Sequence, residues 1–193
     1  MLANKLSNYN IILASGSPRR QNFFKELHLN FEIRLKEVDE VYPENLKKSE
    51  ITDYLANLKS KPFENELQEN DLLITSDTIV WHNNTALGKP KSYEEAFEML
   101  KSLSDKKHQV ITSISIKNKH FQKIINDTTE VYFKELSDEE INYYIKNYKP
   151  YDKAGAYGIQ EWIGKIGIYK IEGSYFNVMG LPVHKLYKEL LKL

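Results

Sequence analysis

The run Asp71-Leu72-Leu73-Ile74-Thr75-Ser76-Asp77-Thr78-Ile79-Val80-Trp81 constrains this chain more than any other stretch. It is apolar on both sides of one polar interruption, which reads as a long strand. Other strand and helix signals alternate around it, and that alternation points to an α/β fold. Residues 10–14 predict a short buried strand that breaks at Ser15-Gly16-Ser17-Pro18. Ser17 then reads as an N-cap and Pro18 as a first-turn proline, opening a helix through Leu27. Residues 31–38 alternate like a strand, and residues 49–58 have helical spacing through Ile51, Leu55 and Leu58. A further amphipathic helix is expected over residues 93–103. Strands are expected over 110–116 and 128–133, with the polar turn Lys117-Asn118-Lys119 between them. Ser137 and Glu140 form a capping box for a helix to Tyr148, and a last helix starts after Pro182.

The chain has 193 residues, which predicts a single domain over 1–193. Its composition, 41% hydrophobic and 28% charged, excludes a chain disordered along its whole length. Lys+Arg and Asp+Glu both number 27, so no net charge draws the chain toward nucleic acid or an anionic membrane. There is no cysteine, which removes disulfides, thiolate metal sites and thiol nucleophiles. The apolar run before Ser15 is too short for a secretory signal or a spanning helix, so a soluble, cytoplasmic protein is expected.

Four places could carry chemistry. Ser15-Gly16-Ser17-Pro18-Arg19-Arg20 puts a small-residue turn and two guanidinium groups at a helix start, which suits an anion. An ordinary capped helix with two solvated arginines would read the same. Asp77 lies inside the most apolar strand, where a carboxylate is costly unless paired, protonated or metal-bound. A strand-end aspartate reaching solvent is the plain alternative, but Ile79-Val80-Trp81 carry the strand beyond it. Lys89, in Gly88-Lys89-Pro90, sits on a turn and means little alone. Asp152-Lys153-Ala154-Gly155-Ala156-Tyr157-Gly158-Ile159-Gln160 strips bulk from the backbone, as close approach of a flat ligand would need, though a Gly-rich turn reads alike. Gln160 has the paired donor and acceptor that can read a base edge. Glu40 and Lys59 carry no signal alone. The five histidines, His108 among them, show no ligand-like spacing, and Tyr143-Tyr144 reads as packing.

In order and spacing these segments, together with Asn177-Val178-Met179-Gly180-Leu181-Pro182, closely resemble the Maf family of nucleoside triphosphate pyrophosphatases. The resemblance runs from residue 11 to about 185, and is nearest to the subfamily acting on dTTP and UTP. It implies the inosine triphosphate pyrophosphatase-like fold: a twisted mixed sheet flanked by helices, with a cleft between two lobes. It puts the catalytic aspartate on Asp77, assisted by Glu40, Lys59 and Lys89. It puts the phosphate loop on Ser15, Ser17, Arg19 and Arg20, and a substrate lysine on Lys153. Arg19, Thr78 and Gln160 fall at the positions associated with pyrimidine choice. Glu40 and Asp77 are the implied ligands of a divalent cation, Mg²⁺ or Mn²⁺. The implied partner is a nucleoside triphosphate, with no nucleic acid or membrane, and the family suggests a homodimer. Action on 7-methyl-GTP or CTP, or a division regulator that binds nucleotide without turnover, are the alternatives. Three departures stand out: Ser76 where alanine is usual, Ser104-Asp105 where Ser-Gly is usual, and Trp162 just after Gln160.

Overall fold

The computed structural model describes residues 2–193. After a one-turn helix α1 (Leu2–Lys5), the strands are β1 (Asn10–Leu13), β2 (Phe31–Ile33), β3 (Asp71–His82), β4 (Thr85–Leu87), β5 (Lys107–Lys117), β6 (Gln122–Phe133) and β7 (Ile168–Glu172). The remaining helices are α2 (Pro18–Glu26), α3 (Ser49–Ser60), α4 (Tyr93–Leu103), α5 (Asp138–Tyr148), α6 (Trp162–Gly167), α7 (Tyr175–Val178) and α8 (Val183–Leu190). The strands form one seven-stranded sheet in the order β2-β1-β3-β5-β6-β7, with β4 paired to β3. The sheet is mixed: β1 runs parallel to β2 and β3, whereas β4 is antiparallel to β3 and β7 to β6. The α/β expectation holds.

Two compact units divide the chain. The first holds the chain up to Asp77 with Thr112–Asp127 and Gly180–Leu193; the second holds Thr78–Ile111 and Thr128–Met179. In the first unit Ile12, Leu73, Phe63 and Leu67 form one buried cluster. Helix α3 is fixed on the sheet by polar contacts as well: Thr75 Oγ1 donates to the Ala56 carbonyl (2.6 Å), and Thr52 and Ser113 share a hydroxyl hydrogen bond (2.6 Å). In the second unit Ala96, Leu100 and Leu103 of α4 pack with Ile141, Tyr144 and Ile145 of α5 and with Val110, Val131 and Phe133 of the sheet.

Local chemistry explains most boundaries. Ser92 caps α4, accepting from the Glu95 N–H (3.2 Å), and Ser137 with Glu140 forms the expected capping box on α5. Asn83 and Asn84, at φ 48° and 60°, make the two-residue turn between β3 and β4. Asparagine tolerates that left-handed backbone, and such turns match strand twist. Asp105 holds φ 54°, a left-handed backbone that aspartate tolerates better than most side chains.

One expected strand is much shorter than its pattern. Residues 31–38 alternate, yet β2 stops at Ile33 because β1, its partner, ends at Leu13, which pairs with Ile33. With no strand to continue the ladder, residues 34–48 form a loop and leave Leu35 and Val41 exposed.

Candidate active site

The chain leaves β1 through Ala14, whose N–H donates to the Ile74 carbonyl of β3 (2.9 Å), and turns into α2 at Pro18. Ser15 is buried and organises this turn. Its hydroxyl accepts from the Ser17 N–H (3.2 Å), and its carbonyl accepts from the Gln21 carboxamide (3.2 Å). Ser17 occupies the N-cap position, but its hydroxyl makes no capping hydrogen bond among the described residues. That corrects the expectation of a side-chain cap: the turn is held by Ser15 and Gln21 instead. Arg19 is half-buried beside it.

Arg20 faces inward. Its Nε donates to the Gly180 carbonyl (2.8 Å) and its Nη1 to the Ser76 carbonyl (3.0 Å). One guanidinium thus ties the turn to β3 and to the segment before α8, where Gly180 holds φ 104°. Burial lowers the Arg20 pKa to about 10, an effect that nearby Asp77 opposes, Arg19 adds to and Glu40 opposes. Arg20 remains a cation at neutral pH.

Asp77 is 6% exposed, so the acid does sit inside the sheet. Its Oδ1 accepts from Lys59 Nζ at 2.6 Å, and the same ammonium lies 3.0 Å from Glu40 Oε1. Lys59 arrives from the last turn of α3 and Glu40 from the exposed loop 34–48. Three residues with no sequence proximity therefore meet at one ammonium. Ser76, where the resembling sequences carry alanine, keeps its hydroxyl buried and unpartnered among the described residues. Among the described residues, Asp77 and Glu40 are the carboxylates on Lys59, and no three metal-type side chains cluster.

The other expected site residues belong to the second unit. Thr78 is half-buried, and Lys89 is exposed in the segment after β4. Lys153 is not a free cation: it is buried, with Nζ 2.6 Å from Asp152 Oδ1 and 3.1 Å from Glu161 Oε1. The other oxygen of Glu161 accepts from the Tyr144 hydroxyl, and that hydroxyl accepts from the Gly158 N–H (3.0 Å). Glu161 and Tyr144 escaped the sequence reading, which took Tyr144 as packing. Burial foremost, then the Glu161 carboxylate, push the Tyr144 pKa well above the ordinary tyrosine value, so it stays a donor. Gln160 is half-buried, and its Oε1 is buried without a partner among the described residues. It lines a cavity of about 330 Å³ with Ile159, Ile168, Tyr169, Ile171 and Tyr175.

Packing accounts for the glycines of this segment. Gly155 has φ 67°, and a Cβ there would lie 2.7 Å from Val80 Cγ2. A Cβ on Gly158 would come within 2.9 Å of Gln160 Nε2, 3.0 Å of Glu161 Cδ and 3.1 Å of Lys153 Cε. Trp162 opens α6 and packs on Tyr143, with ring centroids 4.8 Å apart. His108 is a core residue. It bonds Tyr157 through Nε2 (2.7 Å) and stacks on Phe133, and burial, with His82 adding, lowers its pKa to about 3.

Known proteins resemble the chain over its whole length. A Flavobacterium johnsoniae protein named dTTP/UTP pyrophosphatase is 62% identical over 193 residues, covering 100% of both chains. A Flavobacterium psychrophilum protein of the same name is 61% identical over 99% of this chain and 98% of its own. One from Bacteroides fragilis, also so named, is 49% identical over 100% of each. Among solved structures, the Ham1 protein of Staphylococcus aureus aligns with a TM-score of 0.46 at 19% identity, over 64% of this chain and 71% of its own. The family profile described as Maf-like protein matches residues 10–193, from the first residue of β1 through the phosphate-type turn, Asp77 and the 152–160 segment. On that match and those identities, the chain belongs to the Maf family.

Proposed function

We propose that this protein hydrolyses dTTP and UTP between the α and β phosphates, giving the nucleoside monophosphate and pyrophosphate. The observation that carries the reading is the buried Asp77 carboxylate, held at one oxygen by Lys59 with Arg20 close by. The relatives named dTTP/UTP pyrophosphatase support the choice of substrate.

The reaction needs a base, cations for about four negative charges, and a means of choosing the nucleotide. Lys59 engages Asp77 Oδ1 and leaves Oδ2 to accept a proton from the attacking water. The water oxygen bonds the α phosphorus as the bridging P–O bond to the β phosphate breaks. Lys59, Lys89, Arg19 and Arg20 meet the phosphate charge, the arginines from a helix start. Lys153, assigned to substrate binding, is paired with Asp152 and Glu161.

Glu40 and Asp77 both reach the Lys59 ammonium, so the two carboxylates lie near one another, as a Mg²⁺ or Mn²⁺ ion held by one or two carboxylates, substrate phosphates and water would need. These two residues would hold the ion, which would neutralise phosphate charge when bound. Gln160 and Thr78 serve nucleotide choice. The unpartnered Gln160 Oε1 costs about 1–3 kcal/mol while unsatisfied. An imide N–H, shared by thymine and uracil, is a donor that would satisfy it once the carboxamide turns toward the cavity that Gln160 lines. The reading also places the protein in the cytoplasm, where its substrates are made; no helix among the described residues is long and apolar enough to cross a membrane.

The test is pyrophosphate release from dTTP, UTP, CTP, GTP and 7-methyl-GTP, with and without Mg²⁺ or Mn²⁺. Turnover of dTTP and UTP is expected to exceed the rest. Preference for 7-methyl-GTP or CTP would replace the substrate assignment, and saturable binding of nucleotide with no release would leave only a binding protein.

A further inference from the structure

Gly158 is roofed by three side chains. Gln160, Glu161 and Lys153 all lie close over it, so that an added Cβ would crowd each of them, at 2.9, 3.0 and 3.1 Å. Glu161 joins this group to α5, taking Lys153 Nζ on one oxygen and the Tyr144 hydroxyl on the other. Tyr144 completes a loop by accepting from the Gly158 N–H. Glu161 is mostly buried, with a side chain 20% exposed, and Lys153 is 9% exposed. Removing Glu161 would leave the buried Tyr144 hydroxyl without its acceptor and Lys153 with Asp152 alone. Gln160, next in sequence to Glu161, makes no hydrogen bond through its own buried oxygen. Its terminal torsion is intrinsically broad, and its Nε2 lies over Gly158 beside Glu161 Cδ and Lys153 Cε, each about 3 Å from where a Gly158 Cβ would sit.

We propose that Glu161 is a positioning residue for nucleotide selection: by clamping Lys153 and Tyr144 together it fixes how Gln160 presents its carboxamide. The proposal rests on the reading of Gln160 as the base-contacting residue. It adds that selectivity is set one residue further on, by a carboxylate that touches no substrate. Gly158 belongs to the same device, because glycine lets the three side chains sit over it without being pushed aside.

Two variants test it, Glu161→Ala and the milder Glu161→Gln, which keeps the shape and one acceptor oxygen. A well-placed bidentate amide contact discriminates between bases, so losing its orientation should cost about tenfold. For Glu161→Ala the expected results are a rise of about tenfold in KM for dTTP and a similar fall in the dTTP-to-CTP ratio of kcat/KM. The kcat should stay within about threefold, and Glu161→Gln should fall between. A purely structural role would lower the melting temperature and leave the nucleotide ratio unchanged in both variants, and that outcome would overturn the proposal. A second readout needs no turnover. The Gln160 side-chain NH₂ resonances in ¹H–¹⁵N spectra should be dispersed in the wild-type chain and collapse toward the free-amide position in either variant. If the wild-type chain releases no pyrophosphate from any nucleotide, the reading of function fails. Positioning is then decided by the Gln160 resonances, and an unmoved pair refutes it.

Discussion

Replacing Asp77 by asparagine probes the proposed chemistry with the smallest change of shape. The asparagine Oδ1 can still accept from Lys59, and Lys59 keeps Glu40 at 3.0 Å, so neither the lysine nor the strand loses its packing. What disappears is the negative charge and the basic oxygen. On the stability side, one charge-assisted bond becomes a neutral-acceptor bond, a loss of about 1 kcal/mol. For a chain of this size that lowers the melting temperature by roughly 2–4 °C. On the catalytic side, loss of a general base costs about 10²–10⁴ in rate. At 1.36 kcal/mol per tenfold, that is about 2.7–5.4 kcal/mol of barrier. The two effects are well separated, so pyrophosphate release from dTTP at saturation, beside a thermal melt of the same sample, distinguishes them. A folded Asp77→Asn chain turning over within threefold of wild type would refute the assignment of Asp77 as the base.

The remaining predictions concern the supports of the site and the core. Lys59→Met strands a buried carboxylate and should cost about 3 kcal/mol by denaturant unfolding, much of it recovered in the Lys59→Met/Asp77→Asn double variant. Equal losses in the single and double variants would show that Lys59 does not compensate Asp77. His108 has a native pKa of about 3, below its ordinary value of 6.5, so only the unfolded chain takes up its proton as pH falls below 6.5. Stability therefore drops over that window, by about 2 kcal/mol between pH 7 and 5. His108→Gln should flatten that part of the pH profile, and an unchanged slope would exclude His108 as its source. A Cβ on Gly164 would lie 1.9 Å from the Ile159 carbonyl oxygen, which is backbone and cannot yield. Gly164→Ala should cost at least about 3 kcal/mol, while Gly88→Ala, with nothing within 4 Å of its Cβ, serves as the neutral control.

Much of this protein is written locally. The capping box at Ser137, the Pro18 helix start and the apolar run around Asp77 set their elements by near-neighbour chemistry, so the chain alone sufficed to place them. The order of short motifs likewise announced the family, and the relatives agree. Other features depend on partners far away in sequence. β2 ended early because the strand beside it ended, which no pattern within residues 31–38 could express. Helix α6 and strand β7 carried no capping or periodic signal strong enough to be read. That Lys59 would bridge Glu40 and Asp77 was decided when the fold brought distant segments together, and that Lys153 would be buried against Glu161, itself bonded to Tyr144, was decided by packing around residues 144–161. Ionic and hydrogen-bond pairing acts over a few ångströms of space and is indifferent to separation along the chain. Residue identity fixed which groups could pair; only folding chose which of them did.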